Sequence, residues 1–117
     1  MNDVFPFKIT TLLEQCGTSP DIAAIILDEF LIQLADDMQE IESCIASRDW
    51  PKLGKAGHRL KGSAGVVGAE HLREICHVIE IAGKEGNAEK VTEIFAELQA
   101  ESKRCVDAVP EAKTQLG

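Results

Sequence analysis

The chain has little aromatic content and no surplus of positive charge. Its 117 residues include one Trp, four Phe and no Tyr, and 12 Lys and Arg stand against 20 Asp and Glu, for a formal net charge of −8. Nucleic-acid binding wants a basic face, so this balance argues against it. No apolar run approaches the ~20 residues of a membrane span, and the start, MNDVFPFK, lacks the charged head and apolar core of a signal peptide. Strand alternation and hairpin signals are absent, as are internal repeats, low-complexity tracts and linkers. The four cysteines, Cys16, Cys44, Cys76 and Cys105, are far apart with no CxxC pair. Without a secretion signal they read as buried, reduced thiols of a cytoplasmic protein. The length fits one domain, residues 1–117, with a single core.

What is there reads as helix throughout. Ser19-Pro20-Asp21 is a helix start, with Ser as cap and Pro in the first turn. Leu27, Leu31, Leu34, Met38, Ile41 and Ile45 follow at alternating spacings of four and three, a seam facing other helices. Ile22, Ile26 and Phe30 add a second apolar row, wider than one seam needs, part of it available for docking. Asp49 caps the next helix, Pro51 sits in its first turn, and Gly68 breaks it. A third helix turns Leu72, Ile75, Cys76 and Ile79 inward and ends at Glu85-Gly86-Asn87. A fourth carries Val91, Ile94, Phe95, Leu98, Cys105 and Val109. The N-terminal stretch with Phe5, Phe7, Ile9, Leu12 and Leu13 reads as a short helix over one end. Short connections between long amphipathic helices favour an all-α, antiparallel up-down four-helix bundle with a short extra N-terminal helix, its core spanning about residues 20–109.

Residues 50–69, WPKLGKAGHRLKGSAGVVGA, depart from this pattern. They hold Lys52, Lys55, Arg59 and Lys61 and no acid, leaving −12 on the remainder of the chain. Five glycines, Gly54, Gly57, Gly62, Gly65 and Gly68, interrupt the helix, and each interior one costs roughly 0.8–1 kcal/mol relative to Ala. On a wheel with His58 at 0°, Gly54, Gly62 and Gly65 fall within about 40° of it, and Lys55 and Lys61 flank it at about 60° on either side. Leu53, Ala56, Leu60, Ala64 and Val67 lie on the opposite side. The pattern predicts an exposed imidazole on a strip cleared of side chains and fenced by ammonium groups. Such an imidazole suits a nucleophile that handles an anion and must be reached by something large.

The stretch AGHRLKGSAGVVGAEHLREICHVIE resembles the signature of histidine-containing phosphotransfer domains, and Asp49-Trp50-Pro51 leading into the helix is similar to members of that family. The resemblance implies a carrier, not an enzyme. Its histidine accepts a phosphoryl group from a receiver-domain aspartyl phosphate and passes it to another receiver aspartate. By position, His58 is then the phosphorylated residue and Lys61 its electrostatic partner. Gly62 is the small residue that lets the receiver approach, and Glu80, an acid where several members have an amide, would orient the imidazole. Gly54, Lys55, Arg59, Gly62, Ser63 and Gly65 make up the expected receiver-docking face. The resemblance implies response-regulator receiver domains and a hybrid sensor kinase as partners, and a cytoplasmic, monomeric protein that touches neither membrane nor nucleic acid.

The chemistry of the residues agrees. A neutral imidazole is available near cytoplasmic pH, and if Glu80 accepts Nδ1–H, Nε2 is left free. Phosphoryl transfer asks mainly for positioning and charge neutralisation. Nothing in the sequence resembles a metal cage or a triphosphate cradle, so no cofactor of its own is expected, and Mg²⁺ is expected in the partner receiver. A sensor-kinase dimerisation helix usually has an acid after its His and a Pro a turn later; here Arg59 follows and no Pro does. Glu74-Ile75-Cys76-His77 is an ExxH motif, but it stands alone and faces away from the Leu72–Ile79 stripe, so metal binding is not expected. His71 and His77 read as surface histidines, and Asp36, Asp37 and Glu40 as a solvated helix face. The rival readings are a helical adaptor whose His58 never reacts, and the same domain excised from a hybrid kinase.

Overall fold

The computed structural model describes residues 4–117. Five helices follow one another: α1 (Ile9–Gln15), α2 (Pro20–Ser47), α3 (Trp50–Val66), α4 (Glu70–Glu85) and α5 (Ala88–Gln115). The connections after α2, α3 and α4 are so short that consecutive helices must run antiparallel, and α2–α5 form an up-down four-helix bundle. Side chains close the helix starts as the sequence indicated. Ser19 Oγ accepts from the Ile22 amide at 3.3 Å, and Asp49 Oδ1 from the Lys52 amide at 3.2 Å. Asn87 Oδ1 accepts from the Lys90 amide at 3.1 Å, so the turn that ends α4 also caps α5.

The core is built largely from the expected residues, with Leu31, Met38, Ile45 and Phe95 only half-buried against it. Leu27, Leu34, Ile41, Leu53, Ala56, Leu60, Ala64, Val67, Leu72, Ile75, Ile79, Val91, Ile94 and Leu98 are all buried, and the four cysteines are buried and free. Helix α5 continues through Pro110 and buries Ala112, and Leu116 just past its end is buried too. The N-terminal helix begins only at Ile9, and Phe5 and Phe7 lie in the segment before it. Phe7 packs edge-on against Phe30 with centroids 6.0 Å apart. This segment is pinned where α3 and α4 meet: the Lys8 amide donates to the Gly68 carbonyl at 2.8 Å. Gly68 sits at φ +70°, and a Cβ there would lie 2.5 Å from the Lys8 carbonyl oxygen. A side chain is excluded both by the backbone angle and by the neighbour.

One acid departs from expectation. Asp37 is no part of a solvated face; it is 1% exposed, because α3 lies over that side of α2. Its Oδ1 accepts from Gln33 and from Arg59 Nε, each at 2.9 Å, while Oδ2 has no partner. Burying a carboxylate is tolerated only when it is paired.

The closest approach in the bundle is between α3 and α4, and it is made of glycine. A Cβ on Gly83 would lie 2.8 Å from the Gly54 amide nitrogen, and one on Gly57 would lie 2.9 Å from Ile79 Cγ2 and 3.1 Å from the Glu80 nitrogen. Gly54 was expected on the docking strip; it is instead buried, with the Glu80 carbonyl oxygen 3.4 Å from where its Cβ would be. The wheel assumed one apolar face behind α3, whereas α3 is covered from two sides, by α2 and by α4. Gly62 is different: it is exposed, and a Cβ there would meet nothing within 4 Å.

This contrast yields opposite effects for one substitution. Gly62→Ala should raise stability by up to ~1 kcal/mol through helix propensity. Gly83→Ala gains the same propensity yet should lose roughly 1–3 kcal/mol to overpacking. Urea unfolding midpoints of the two variants should therefore fall on opposite sides of the parent, and a gain in both would show that the α3–α4 approach is not tight.

Candidate functional site

The Gly54–Gly83 contact sets the register of the site. His58 lies one turn after Gly54 on α3, and Glu80 lies one turn before Gly83 on α4. In antiparallel helices these steps run in the same direction, so the two side chains meet. His58 Nδ1 is 2.9 Å from Glu80 Oε2, with the imidazole side chain 69% exposed and the carboxylate side chain 7%. Lys61, one turn further along α3, donates from Nζ to Glu80 Oε1 at 2.6 Å. Lys84, one turn further along α4, donates to Oε2 at 3.3 Å. His77 Nδ1 stands 3.8 Å from Oε1.

Three donors on one buried carboxylate fix its charge. The Lys61 ammonium does most to hold the Glu80 carboxyl down at about 2; burial opposes it, and Lys84 and His58 add to it. An ionised carboxylate can only accept hydrogen bonds. In a neutral ring, Nδ1 must then carry the hydrogen and Nε2 the lone pair. The ring is fixed in one tautomer with its basic nitrogen away from the protein, the arrangement of an exposed nucleophile.

The other expected site residues divide between partner-facing and structural positions. Lys55 is exposed beside an open groove of about 740 Å³ that runs from Trp50 and Pro51 past His58 to Lys84, Glu85 and Gly86. Ser63 is half-buried and lines a second hollow with Ile26, Phe30 and Val66, where α2 meets α3. Gly65 is half-buried: a Cβ there would lie 3.6 Å from Arg73 Cδ, so its strip is less clear than the wheel suggests. Arg59 turns away from His58 toward α2, where it pairs with Asp37 and Glu40. That is a clasp between helices, with the guanidinium 46% exposed beside a carboxylate that is 1% exposed. Ile22, Ile25 and Ile32 on α2 and Val66 on α3 are exposed apolar side chains. Within ExxH, Glu74 and His77 are exposed.

Sequence reasoning missed Lys84. Its signal was present: it stands four residues after Glu80, the spacing at which an acid and a lysine meet on a helix. The wheel built around α3 could not bring in a residue of α4.

The Hpt domain family model matches residues 25–111. No curated protein sequence matches the chain. Among solved structures, histidine-containing phosphotransfer protein B (HptB) from Pseudomonas aeruginosa PAO1 is similar at TM-score 0.86 and 15% identity, over 94% of this chain and 96% of that one. The HPT domain from the Hpt sensor hybrid histidine kinase from Shewanella is similar at TM-score 0.81 and 22% identity, over 97% of each chain. At these identities the two structures speak to the fold, while the family match rests on sequence. Among the described residues, no helix is long and apolar enough to cross a membrane.

The depressed Glu80 carboxyl gives a pH signature. A carboxyl whose folded pKa of about 2 lies below the ordinary 4.5 adds stability that is complete above about pH 5 and is lost as pH falls toward 2. Glu80→Gln should therefore be less stable than the parent by roughly 1–3 kcal/mol at pH 7. The gap should close as pH falls through that window, as followed by urea unfolding at successive pH values. A gap that stays constant down to pH 2 would show that the charge of Glu80 contributes nothing.

Proposed function

The chain belongs to the Hpt domain family and is a histidine phosphotransfer protein of a phosphorelay, and from that premise we propose that Nε2 of His58 is the atom that takes up and gives away the phosphoryl group. The family consists of phosphoryl carriers rather than catalysts, and its partners are the receiver domains and kinases of the relay. The observation that carries the assignment is the His58–Glu80 pair at 2.9 Å, which in the neutral form of this exposed ring puts the hydrogen on Nδ1 and the lone pair on Nε2.

The lone pair of Nε2 attacks the phosphorus of a receiver aspartyl phosphate. The P–O bond to that aspartate breaks and its electron pair returns to the carboxylate. In the next transfer a second receiver's aspartate attacks, and the P–N bond breaks toward the ring. The chain brings no ATP site, metal or cofactor of its own; the acceptor aspartate and its Mg²⁺ belong to the receiver. A hybrid sensor kinase stands upstream and a response-regulator receiver downstream, and the carrier works as a cytoplasmic monomer. Lys61 is within reach of both Glu80 and a phosphoryl group on His58, and its role is to exchange the first for the second as negative charge arrives. Lys55 and Lys84 flank the groove and attract the acidic receiver pocket. Gly62, Ser63 and Gly65 form the contact strip, extended by Val66 and the exposed isoleucines of α2. Gly54 and Arg59 act on this face only indirectly, by fixing α3 against α4 and α2.

His58→Ala should abolish acceptance of an acid-labile, base-stable phosphoryl group from a phosphorylated receiver. Its helicity should match the parent, and its stability should fall by no more than about 0.5–1.5 kcal/mol, the net worth of the lost hydrogen bond to Glu80. Label recovered on His71 or His77 of the variant would overturn the assignment. Gly62→Gln should be as stable as the parent or more so, yet transfer at least about tenfold more slowly, a barrier increase of ~1.4 kcal/mol. Unchanged transfer kinetics would remove Gly62 from the contact strip.

A further inference from the structure

Glu80 sits where a neutral amide could make the same hydrogen bond to His58. An amide would fit this site badly. Both carboxylate oxygens are taken by donors: Oε1 by Lys61 at 2.6 Å, and Oε2 by His58 at 2.9 Å and Lys84 at 3.3 Å. An amide would turn its NH₂ toward one of those cations. The carboxylate is 7% exposed, so its charge acts on the ring through little water. A charge is unnecessary for holding a neutral ring; it matters when the ring itself becomes charged.

That happens once per transfer. When Nε2 bonds to phosphorus, its lone pair is used and the ring becomes an imidazolium, Nδ1–H still attached. Its positive charge makes that proton more acidic. If the proton stays, the next transfer breaks the P–N bond toward the ring and releases neutral imidazole, with no proton moved in either step. If the proton has left, the same bond cleavage releases imidazolate, a far stronger base and a far poorer leaving group. Resting on the assignment of His58 as the phosphoryl acceptor, we propose that the Glu80 carboxylate holds the Nδ1 proton of phospho-His58 in place, so that the ring leaves as neutral imidazole in every onward transfer. Glu80 is thus a positioning residue that acts through the ring.

The groups around the pair work in opposed directions. Lys61 and Lys55 from α3, and from α4 Lys84 and, in its protonated form, His77, would each help expel a proton from the ring; Glu85 at the groove's edge would weakly retain it. The incoming phosphoryl group draws the ammonium groups to its own oxygens, and Glu80 is then left as the counter-ion of the imidazolium. In the unphosphorylated protein the lysines hold Glu80 ionised; in the phosphoprotein the imidazolium cation takes over that part, so Glu80 holds the Nδ1 proton by attraction without taking it.

The test follows the Nδ1 proton directly. Parent and Glu80→Gln proteins are phosphorylated by a receiver, and ¹⁵N NMR of phospho-His58 is recorded from pH 5 to 10 alongside rates of transfer to an acceptor receiver. The Nδ1 titration of the variant should lie lower than that of the parent by about 1–3 units, the usual effect of losing an adjacent opposite charge. Its transfer should be slower by a factor that grows to about tenfold or more above both midpoints and vanishes below both, where both rings keep the proton. Identical midpoints, or a slowing that is the same at every pH, would overturn the proposal and leave Glu80 a steric support. Urea-unfolded parent phosphoprotein serves as a control that needs no variant: its Nδ1 should titrate lower than in the folded protein, and no difference would likewise overturn the proposal. Phosphoryl mapped to a residue other than His58 would instead defeat the assignment beneath it.

Discussion

The site depends on how closely α3 and α4 approach. Gly54, Gly57 and Gly83 let the two backbones touch, with a Cβ at position 83 placed 2.8 Å from the Gly54 nitrogen. Side chains in their place would push the helices apart, and Glu80 would be carried away from His58 with α4. Three glycines that weaken their helices by propensity thus fix the one hydrogen bond that decides which ring nitrogen is basic. Stability and reactivity draw on the same contact.

The charge pattern is less one-sided than composition implies. Residues 50–69 carry four cations and no acid, but two of the four are spent inside the fold. Arg59 is shared between Asp37 and Glu40, and Lys61 pairs with Glu80. The positive field beside the His58 groove in the resting protein therefore comes mainly from Lys55, while Lys84 shares Glu80 at 3.3 Å. Glu80 has a second consequence: it holds Lys61 close to the reacting nitrogen while screening its charge until a stronger anion arrives. A lysine parked on a buried carboxylate also loses less side-chain freedom on engaging phosphate than one waving in solvent.

The two long helices serve a different purpose from the two short ones. Helices α2 and α5 have 28 residues each, about 42 Å of rise, and the molecule's longest extent is 43 Å. Helices α3 and α4 cover only part of that length, and the Phe5–Gln15 segment closes the end where they stop, tied down at Gly68. The short pair carries the chemistry on a frame supplied by the long pair, and the clasp from Arg59 to Asp37 joins the two.

Much was legible in the sequence because it was local. Ser19 and Asp49 mark helix starts through bonds only three residues long, and the spacing of Leu27, Leu34 and Ile41 or of Leu53, Leu60 and Val67 follows from helix geometry alone. His58 stood out for the same reason, since its surroundings on α3 lie within one turn of it. What the sequence could not decide was everything set by a second helix. One wheel cannot distinguish Gly62, open to solvent, from Gly54, pressed against α4, because both are the same residue about 40° from His58, on either side of it. Asp37 looked solvated until α3 covered it, Arg59 looked partner-facing until Asp37 claimed it, and Lys84 had no visible link to His58 without Glu80 between them. Composition and periodicity determined which helices form and which face each buries. Only their packing, governed by the close approach of two backbones, decided where the charges meet and which nitrogen of the ring is left to react.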